Sequence, residues 1–189
     1  MSALTILIIR HAEKPGEAWP GPGLTADGVA DKKSLVIRGW QRAGAWSALF
    51  GAGLGGDDFP EPAAIYALNP SSTAGDDPSR RPFETITPLA ARLTLTPIVK
   101  YPLGAEHDLV AEIVGLAGVV LVSWEHKAIA KSILPAITKG QTLHGMPAKW
   151  DGARFDVVLR FDRSAPGAPW TFRQLFPCLM SGDSATPMP

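Results

Sequence analysis

The chain of 189 residues has a length typical of one domain, and a folded chain of this size buries about 70% of its unfolded surface. Its 18 Lys and Arg residues balance its 18 Asp and Glu residues, so no global field favours nucleic acid or an anionic membrane as a partner. The single cysteine, Cys178, excludes an internal disulfide framework, and the apolar run from Leu4 to Ile9 is too short for a membrane span. We therefore expect a soluble, cytoplasmic protein with one domain over residues 1–180 and a polar tail over residues 181–189.

Five apolar runs predict strands, and the segments between them show helical spacing. The runs are Leu4 to Ile9, Ala63 to Leu68, Val119 to Ser123, Phe155 to Phe161 and Trp170 to Leu175. Helical stripes are formed by Trp40, Ala43, Ser47 and Phe50, by Leu109, Ile113 and Leu116, and by Ile129, Ile133 and Ile137. Continuous aliphatic strands are typical of parallel sheets covered on both faces, so the pattern predicts a three-layer α/β/α fold. The last two strands are expected to pair antiparallel, which makes the mostly parallel sheet a mixed one.

Two of the buried strands each deliver a histidine to the same edge of the predicted sheet. The first strand is followed by Arg10 and His11, and the third by Glu125 and His126. In open α/β sheets, ligands bind beyond the carboxyl ends of the strands. A single histidine there is most often structural, but two at matching positions favour a functional site.

A further helix is predicted over residues 80–93, with Arg81 at its N-terminus. Pro82 suits the first helical position, because its missing N–H would be unpaired there anyway, and Thr85 follows Arg81 by one turn. An arginine beside the free N–H groups of a helix N-terminus makes a good anion site. The alternative is that Arg81 merely forms a weak pair with a surface carboxylate such as Glu84. Pro88 is expected to kink or end this helix.

Together these elements resemble the histidine phosphatase superfamily, which is also called phosphoglycerate mutase-like. The resemblance rests on Arg10-His11-Ala12-Glu13, the segment Arg38 to Ala43, Arg81 with Thr85, and the strand that leads to His126, in matching order from residue 4 to about residue 137. It implies that His11 is the nucleophile and forms a phosphohistidine, with Arg10, Arg81 and His126 around the phosphoryl group. The implied activity is a metal-independent phosphatase without a cofactor, acting on a small phosphorylated substrate or a phosphoprotein.

Some positions depart from the superfamily pattern or match it twice. The connection from Ser71 to Arg80 is longer than usual, which leaves the choice between Arg80 and Arg81 uncertain by one residue; Pro82 and Thr85 favour Arg81. A Leu-Thr-x-x-Gly stretch is matched at residues 24–28 and, more loosely, at residues 35–39. We prefer residues 35–39, because a helix follows them directly. Residues 16–34 then form an extra loop, in which Trp19, Lys32 and Lys33 are expected to be solvated rather than in contact with a substrate.

The general acid that protonates the leaving oxygen is the least defined role. Many superfamily members supply a carboxylate from the segment before the third helix, where Glu106 is the best placed candidate. Its alternative is a structural place in the first turn of that helix, which Asp108 would cap. Glu125 is a further candidate, but in a regular strand it points away from His126, which argues for a supporting role.

Two charged neighbours of His11 complete the candidates. Lys14 is either a substrate-binding residue or a solvated loop lysine, and Glu13 is expected to be the structural partner of an arginine. His107 and His144 lack motif support, and no pair of histidines has the i, i+4 spacing of a zinc site, so we expect no metal. Two rival functions stay open: a phosphoglycerate mutase-type phosphomutase, and a catalytically quiet phosphate-binding or interaction module of the same fold.

Overall fold

Strands and helices alternate along most of the chain. The computed structural model describes residues 3–16, 18–71 and 79–189. The strands are β1 (Leu4–Arg10), β2 (Ala64–Ala67), β3 (Gly118–Trp124), β4 (Val158–Arg163) and β5 (Thr171–Leu175). The helices are α1 (Ile37–Gly51), α2 (Arg81–Leu93), α3 (Glu106–Ile113), α4 (His126–Ala128) and α5 (Leu134–Thr138), with a 3-10 turn at Gly56–Asp58 and a π turn at Ile129–Ile133 that joins α4 to α5.

The five strands form one mixed sheet in the order β2-β3-β1-β4-β5. Strands β2, β3 and β1 run parallel, whereas β4 is antiparallel to β1 and β5 is antiparallel to β4. The predicted antiparallel pair at the end of the chain is confirmed. Since Arg10 pairs with Trp124 in the β1–β3 register, the two strands end level with each other. The residues that follow them therefore enter the same edge of the sheet.

Helices cover both faces of this sheet, which confirms the three-layer α/β/α prediction. Along β1 the side chains of Ile6 and Ile8 join the core beneath α3 and α5, and those of Leu7 and Ile9 join the core beneath α1 and α2. Burying each such aliphatic side chain contributes roughly 1.5–3 kcal/mol. A strand buried on both faces is fixed in place, and so is the residue at its end.

The structure decides two expectations about helix ends. Of the kink or end predicted at Pro88, the end does not occur, because helix α2 continues through Pro88 to Leu93; Leu89 and Ala90 beyond the proline are buried in the core and hold the last turn there. Helix α3 begins at Glu106, which places Asp108 inside the first turn and not at the cap.

The segment predicted as a tail, residues 181–189, lies against the domain, where the side chains of Asp183 and Met188 are buried. Within the described ranges, no helix has the length and apolar character needed to cross a membrane. Residues 72–78, in the long connection before α2, lie outside the described residues.

Candidate active site

His11 lies directly beyond β1 in a turn formed by residues 11–13, called here the His11 turn. Its backbone N–H extends the strand pairing by donating to Trp124 O at 3.1 Å, and the residue is only 4% exposed. The ring Nδ1 lies 2.7 Å from Ala12 O. Because a carbonyl oxygen only accepts, Nδ1 must carry the hydrogen, and Nε2 keeps an unshared electron pair.

The surroundings of His11 keep its ring neutral. Burial is the largest cause and lowers the pKa from 6.5 to about 3, and the positive charges of Arg10 and Arg81 act in the same direction, against the hydrogen bond to Ala12. At neutral pH the ring is therefore uncharged. It has the electronic form of a nucleophile or a base.

Arg10 forms a buried positive wall beside His11. Its guanidinium donates from one terminal nitrogen to Gly152 O at 2.7 Å and Arg154 O at 3.1 Å, and the guanidinium carbon lies 3.8 Å from the ring centroid of Phe155. The residue is 2% exposed, and its Nε has no hydrogen-bond partner among the described residues. Burial lowers the pKa of Arg10 to about 10, which leaves it a cation at neutral pH. Arg10 is thus a buried cation beside His11 with one donor unpaired.

Helix α2 brings Arg81 to the same place and connects it to the His11 turn. The Thr85 hydroxyl donates to Arg81 O at 2.7 Å and accepts from Ala12 N–H at 2.8 Å. Thr85 thereby ties the first turn of α2 to the residue after His11. This pair of hydrogen bonds is the physical reason for the spacing of Arg81 and Thr85 in the sequence.

The Arg81 side chain is held by backbone carbonyls and not by Glu84. It donates to Lys32 O at 2.7 Å and from Nε to Ser34 O at 3.4 Å. Glu84 instead accepts from Ser34 Oγ at 2.6 Å and Leu35 N–H at 2.9 Å, so the alternative of a pair between Arg81 and Glu84 is wrong.

The neighbouring Arg80 has a different position. Its side chain is 57% exposed and lies 3.6 Å from Asp31 Oδ2. Arg81, in contrast, is close enough to His11 and Lys14 to lower the pKa of each. Of the two arginines, Arg81 therefore lies nearer the His11 turn.

His126 stands opposite His11 at the start of α4. The two ring centroids are 6.5 Å apart with an interplanar angle of 80°. His126 Nδ1 lies 2.7 Å from Glu125 Oε1, and Glu125 also caps the helix by accepting from Ala128 N–H at 2.8 Å. Partial burial opposes ionisation of Glu125, but the close His126 ring and the hydrogen bonds from the helix backbone hold its pKa at about 2. Glu125 therefore carries no proton at neutral pH and fits the supporting role.

Glu106 is buried in the first turn of α3, where it has structural partners. Its Oε1 accepts from Trp124 Nε1 at 3.0 Å and from Gly104 N–H at 3.0 Å, while Oε2 makes no hydrogen bond to the described residues. Trp124 ends β3 immediately before the segment that carries His126. Glu106 is thus close to this edge of the sheet, and its role as an acid stays a prediction.

Glu13 ties the His11 turn to α1, which confirms that it is the partner of an arginine. The carboxylate accepts three hydrogen bonds of 2.8 to 3.1 Å from Arg42, and Arg38 Nε lies 3.4 Å away. Helix α1 approaches the turn so closely that a Cβ on Gly39 would lie 2.5 Å from Glu13 O. The glycine of the Arg38-Gly39 motif is required by this contact.

Two aromatic residues border the site, and one of them was not foreseen. Phe155 lies before β4 rather than in a strand, with its ring centroid 6.0 Å from that of His11. Trp19, expected to be solvated, packs edge-on against Phe155 at 6.5 Å and beneath the Arg38 guanidinium at 4.6 Å. No motif in the sequence marks Phe155, because its place depends on a loop that returns to Arg10 from the far end of the chain.

The remaining candidates are placed as follows. Lys14 is exposed, although part of its side chain is buried. This partial burial lowers its pKa, and the positive charges of Arg81 and Arg10 act in the same direction. Lys14 therefore lies beside these two arginines. His107 and His144 are exposed on the surface. Within residues 3–16, 18–71 and 79–189, His, Cys, Asp and Glu side chains do not gather in groups of three or more that could hold a metal ion.

No protein-family model and no curated protein matches the chain. Among solved structures, one named "Mycobacterial hydrolase 2" is similar at 16% sequence identity and a TM-score of 0.53, and the match covers 98% of this chain and 94% of that chain. The likeness extends over nearly the whole of both chains and shows a shared fold.

Proposed function

We propose that this protein is a hydrolase of phosphomonoesters, a metal-independent histidine phosphatase that forms a phosphohistidine on His11. The observation that carries the proposal is the state of His11: a buried, neutral ring with Nδ1 bound to Ala12 O and the Nε2 electron pair free among basic groups. The similar solved structure is named a hydrolase, which is in keeping with this class of reaction. The substrate is proposed to be a small phosphorylated molecule or a phosphoprotein.

In the first step, His11 Nε2 forms a bond to phosphorus while the bond from phosphorus to the leaving oxygen breaks. Negative charge on the nonbridging oxygens is stabilised by Arg10, Arg81 and His126, named together the basic cluster. In the second step, a water oxygen attacks phosphorus, the water proton passes to the carboxylate that protonated the leaving oxygen, the N–P bond breaks, and inorganic phosphate leaves with His11 neutral again. The carboxylate of Glu125, 2.7 Å from His126 Nδ1, stabilises a positive charge on that ring.

The buried Arg10 supports phosphate as the ligand. Its Nε lacks a partner among the described residues, and the ion pairs of those residues give it no carboxylate. The Phe155 ring beneath the guanidinium fixes the plane in which its N–H groups point. A preorganised planar fork of this kind suits the oxygens of a phosphoryl group.

Glu106 is proposed as the general acid. The second candidate function is a phosphate-binding module without catalytic activity. The module is favoured by one observation, since Glu106 Oε1 is already occupied by Trp124 and Gly104. A leaving phenolate needs little protonation, whereas an alkoxide needs a proton from an acid. Turnover of both p-nitrophenyl phosphate and glycerol phosphate supports a complete enzyme; binding of phosphate without turnover of either supports the module.

The nucleophile is tested by trapping the intermediate. Wild type and His11→Ala are mixed with a substrate labelled in its phosphoryl group and quenched, and the protein is treated with acid or base. We expect label on the wild type alone, stable in base and lost in acid, as a phosphohistidine requires. Wild type that turns over substrate without such label would remove His11 as the nucleophile. Incubation with 3-phosphoglycerate and its bisphosphate primer tests the mutase, because isomerisation without net phosphate release would overturn the phosphatase.

A further inference from the structure

We infer that the C-terminal segment of residues 181–186 belongs to the catalytic apparatus, and that Asp183 is a positioning residue that acts on His11 through Arg42 and Glu13. The expected effect on kcat rests on the proposed function. Its structural basis is a chain of buried contacts from the end of the sequence to the His11 turn. Residues 181–186 are called here the C-terminal strap.

Arg42 lies between two carboxylates that are distant in sequence. On one side it donates to Glu13 in the His11 turn, and on the other it donates to Asp183 Oδ1 at 2.8 Å and Oδ2 at 3.1 Å. The side chains of Arg42, Glu13 and Asp183 are 3%, 0% and 3% exposed. Arg42 holds each carboxylate by more than one hydrogen bond in the plane of its guanidinium. The guanidinium therefore cannot rotate without breaking the hydrogen bonds to at least one carboxylate. Asp183 therefore determines the plane in which Arg42 holds Glu13.

The strap adds further contacts around the same turn. Arg38, whose Nε lies 3.4 Å from Glu13, donates to Ser181 O at 2.5 Å, and Asp183 also accepts from Met180 N–H at 3.0 Å. Glu13 is two residues from His11, with only Ala12 between them. A shift of Glu13 is therefore transmitted to the carbonyl that fixes the His11 ring.

A second set of contacts connects the strap to Arg10. Arg154 donates to Ser184 O at 2.7 Å and Thr186 O at 2.6 Å, and Ser184 N–H donates to Asp156 at 2.7 Å. Arg154 O in turn accepts from Arg10. The loop between Arg154 and Asp156 carries the aromatic ring beneath Arg10, so the strap supports both the nucleophile and one wall of the basic cluster.

The test compares Asp183→Asn with the control Asp58→Asn. Asp58 forms an ion pair of 2.7 Å with Arg173, but its side chain is 52% exposed. Kinetics with p-nitrophenyl phosphate are measured together with the ring ¹⁵N signals of His11, identified among the four histidines by His11→Ala. For Asp183→Asn we expect kcat to fall about tenfold to a hundredfold with KM little changed, because a small misplacement of a reacting group has this cost. The His11 signals of Asp183→Asn are expected to lose the pattern of a single Nδ1–H tautomer, and Asp58→Asn should match the wild type in both measurements.

A kcat for Asp183→Asn within about twofold of wild type, with unchanged ring signals, would refute the inference. If Asp183→Asn does not fold, Asp156→Asn tests the other end of the strap; we expect a higher KM for it, and an unchanged KM would count against the strap. Failure of the proposed function gives a different result from failure of this inference. A wild type without turnover removes the phosphatase, while altered ring signals in Asp183→Asn would still support the positioning of His11.

Discussion

Burial of His11 in its neutral form predicts a specific sensitivity of the fold to acid. Burial, followed by the charge of Arg10, lowers the pKa of His11 from 6.5 to about 3 in the folded protein. The unfolded chain therefore takes up a proton at His11 between pH 6.5 and pH 3, whereas the folded chain does not. Stability must fall as the pH is lowered through this window, because the unfolded state binds more protons.

The size of the effect follows from the free energy of 1.36 kcal/mol per pH unit. At pH 5.0 the loss relative to pH 7.5 is 1.36 × (6.5 − 5.0), or about 2 kcal/mol. His11→Gln removes the titrating group and should lose about 2 kcal/mol less than wild type over the same interval. The carboxylates that also titrate are present in both proteins, so their contributions largely cancel in the difference.

The measurement is urea unfolding of wild type and His11→Gln at pH 7.5 and pH 5.0. The exposed His144 provides the control, since His144→Gln keeps the buried ring and should lose as much stability as wild type. An equal loss in wild type and His11→Gln would mean that His11 is protonated in the folded protein. That result would contradict the neutral nucleophile and the mechanism built on it.

Three further predictions concern the motifs around His11. Arg81→Ala should lower kcat/KM at least about a hundredfold and Arg80→Ala less than about twofold, because only Arg81 faces the site; equal losses in the phosphatase assay would contradict this assignment. Gly39→Ala should destabilise the fold by about 2 kcal/mol in urea unfolding, since the new Cβ would lie 2.5 Å from the carbonyl of the His11 turn, whereas Gly44→Ala on the open side of the same helix should stabilise it by about 0.5–1 kcal/mol. Glu106→Gln should lower kcat for glycerol phosphate about a hundredfold and leave p-nitrophenyl phosphate nearly unaffected; a similar loss for both substrates would remove Glu106 as the acid.

The sheet, and the meeting of the two histidines that follow β1 and β3 at one edge of it, could be predicted from the sequence, because both depend on local patterns. Uninterrupted aliphatic residues mark β1 and β3, and parallel neighbours of this kind end at one edge. The residues after them, His11 and His126, then have to meet. Arg81 and Thr85 could be found for a similar reason, since their spacing fixes them on one helical turn.

The contacts that Phe155 and Asp183 make near the His11 turn could not be predicted. Phe155 precedes β4 in a loop without a periodic signal, and Asp183 follows the last strand in a segment that reads as polar. Their places depend on tertiary pairing with Arg10 and Arg42, over separations of 145 and 141 residues. Such contacts leave no pattern in the local sequence. Composition alone makes residues 181–189 resemble a tail.

The site combines two features that each destabilise the fold. Arg10 is buried with an Nε that has no partner among the described residues, and His11 is held neutral by desolvation. A protein core normally pairs such groups, because an unpaired buried donor costs about 1–3 kcal/mol. The buried pairs of Arg42 with Glu13 and Asp183 stand directly beside this region and hold it in shape. Arg42 is thus paired with two carboxylates, whereas the ion pairs of the described residues give Arg10 and Arg81 none.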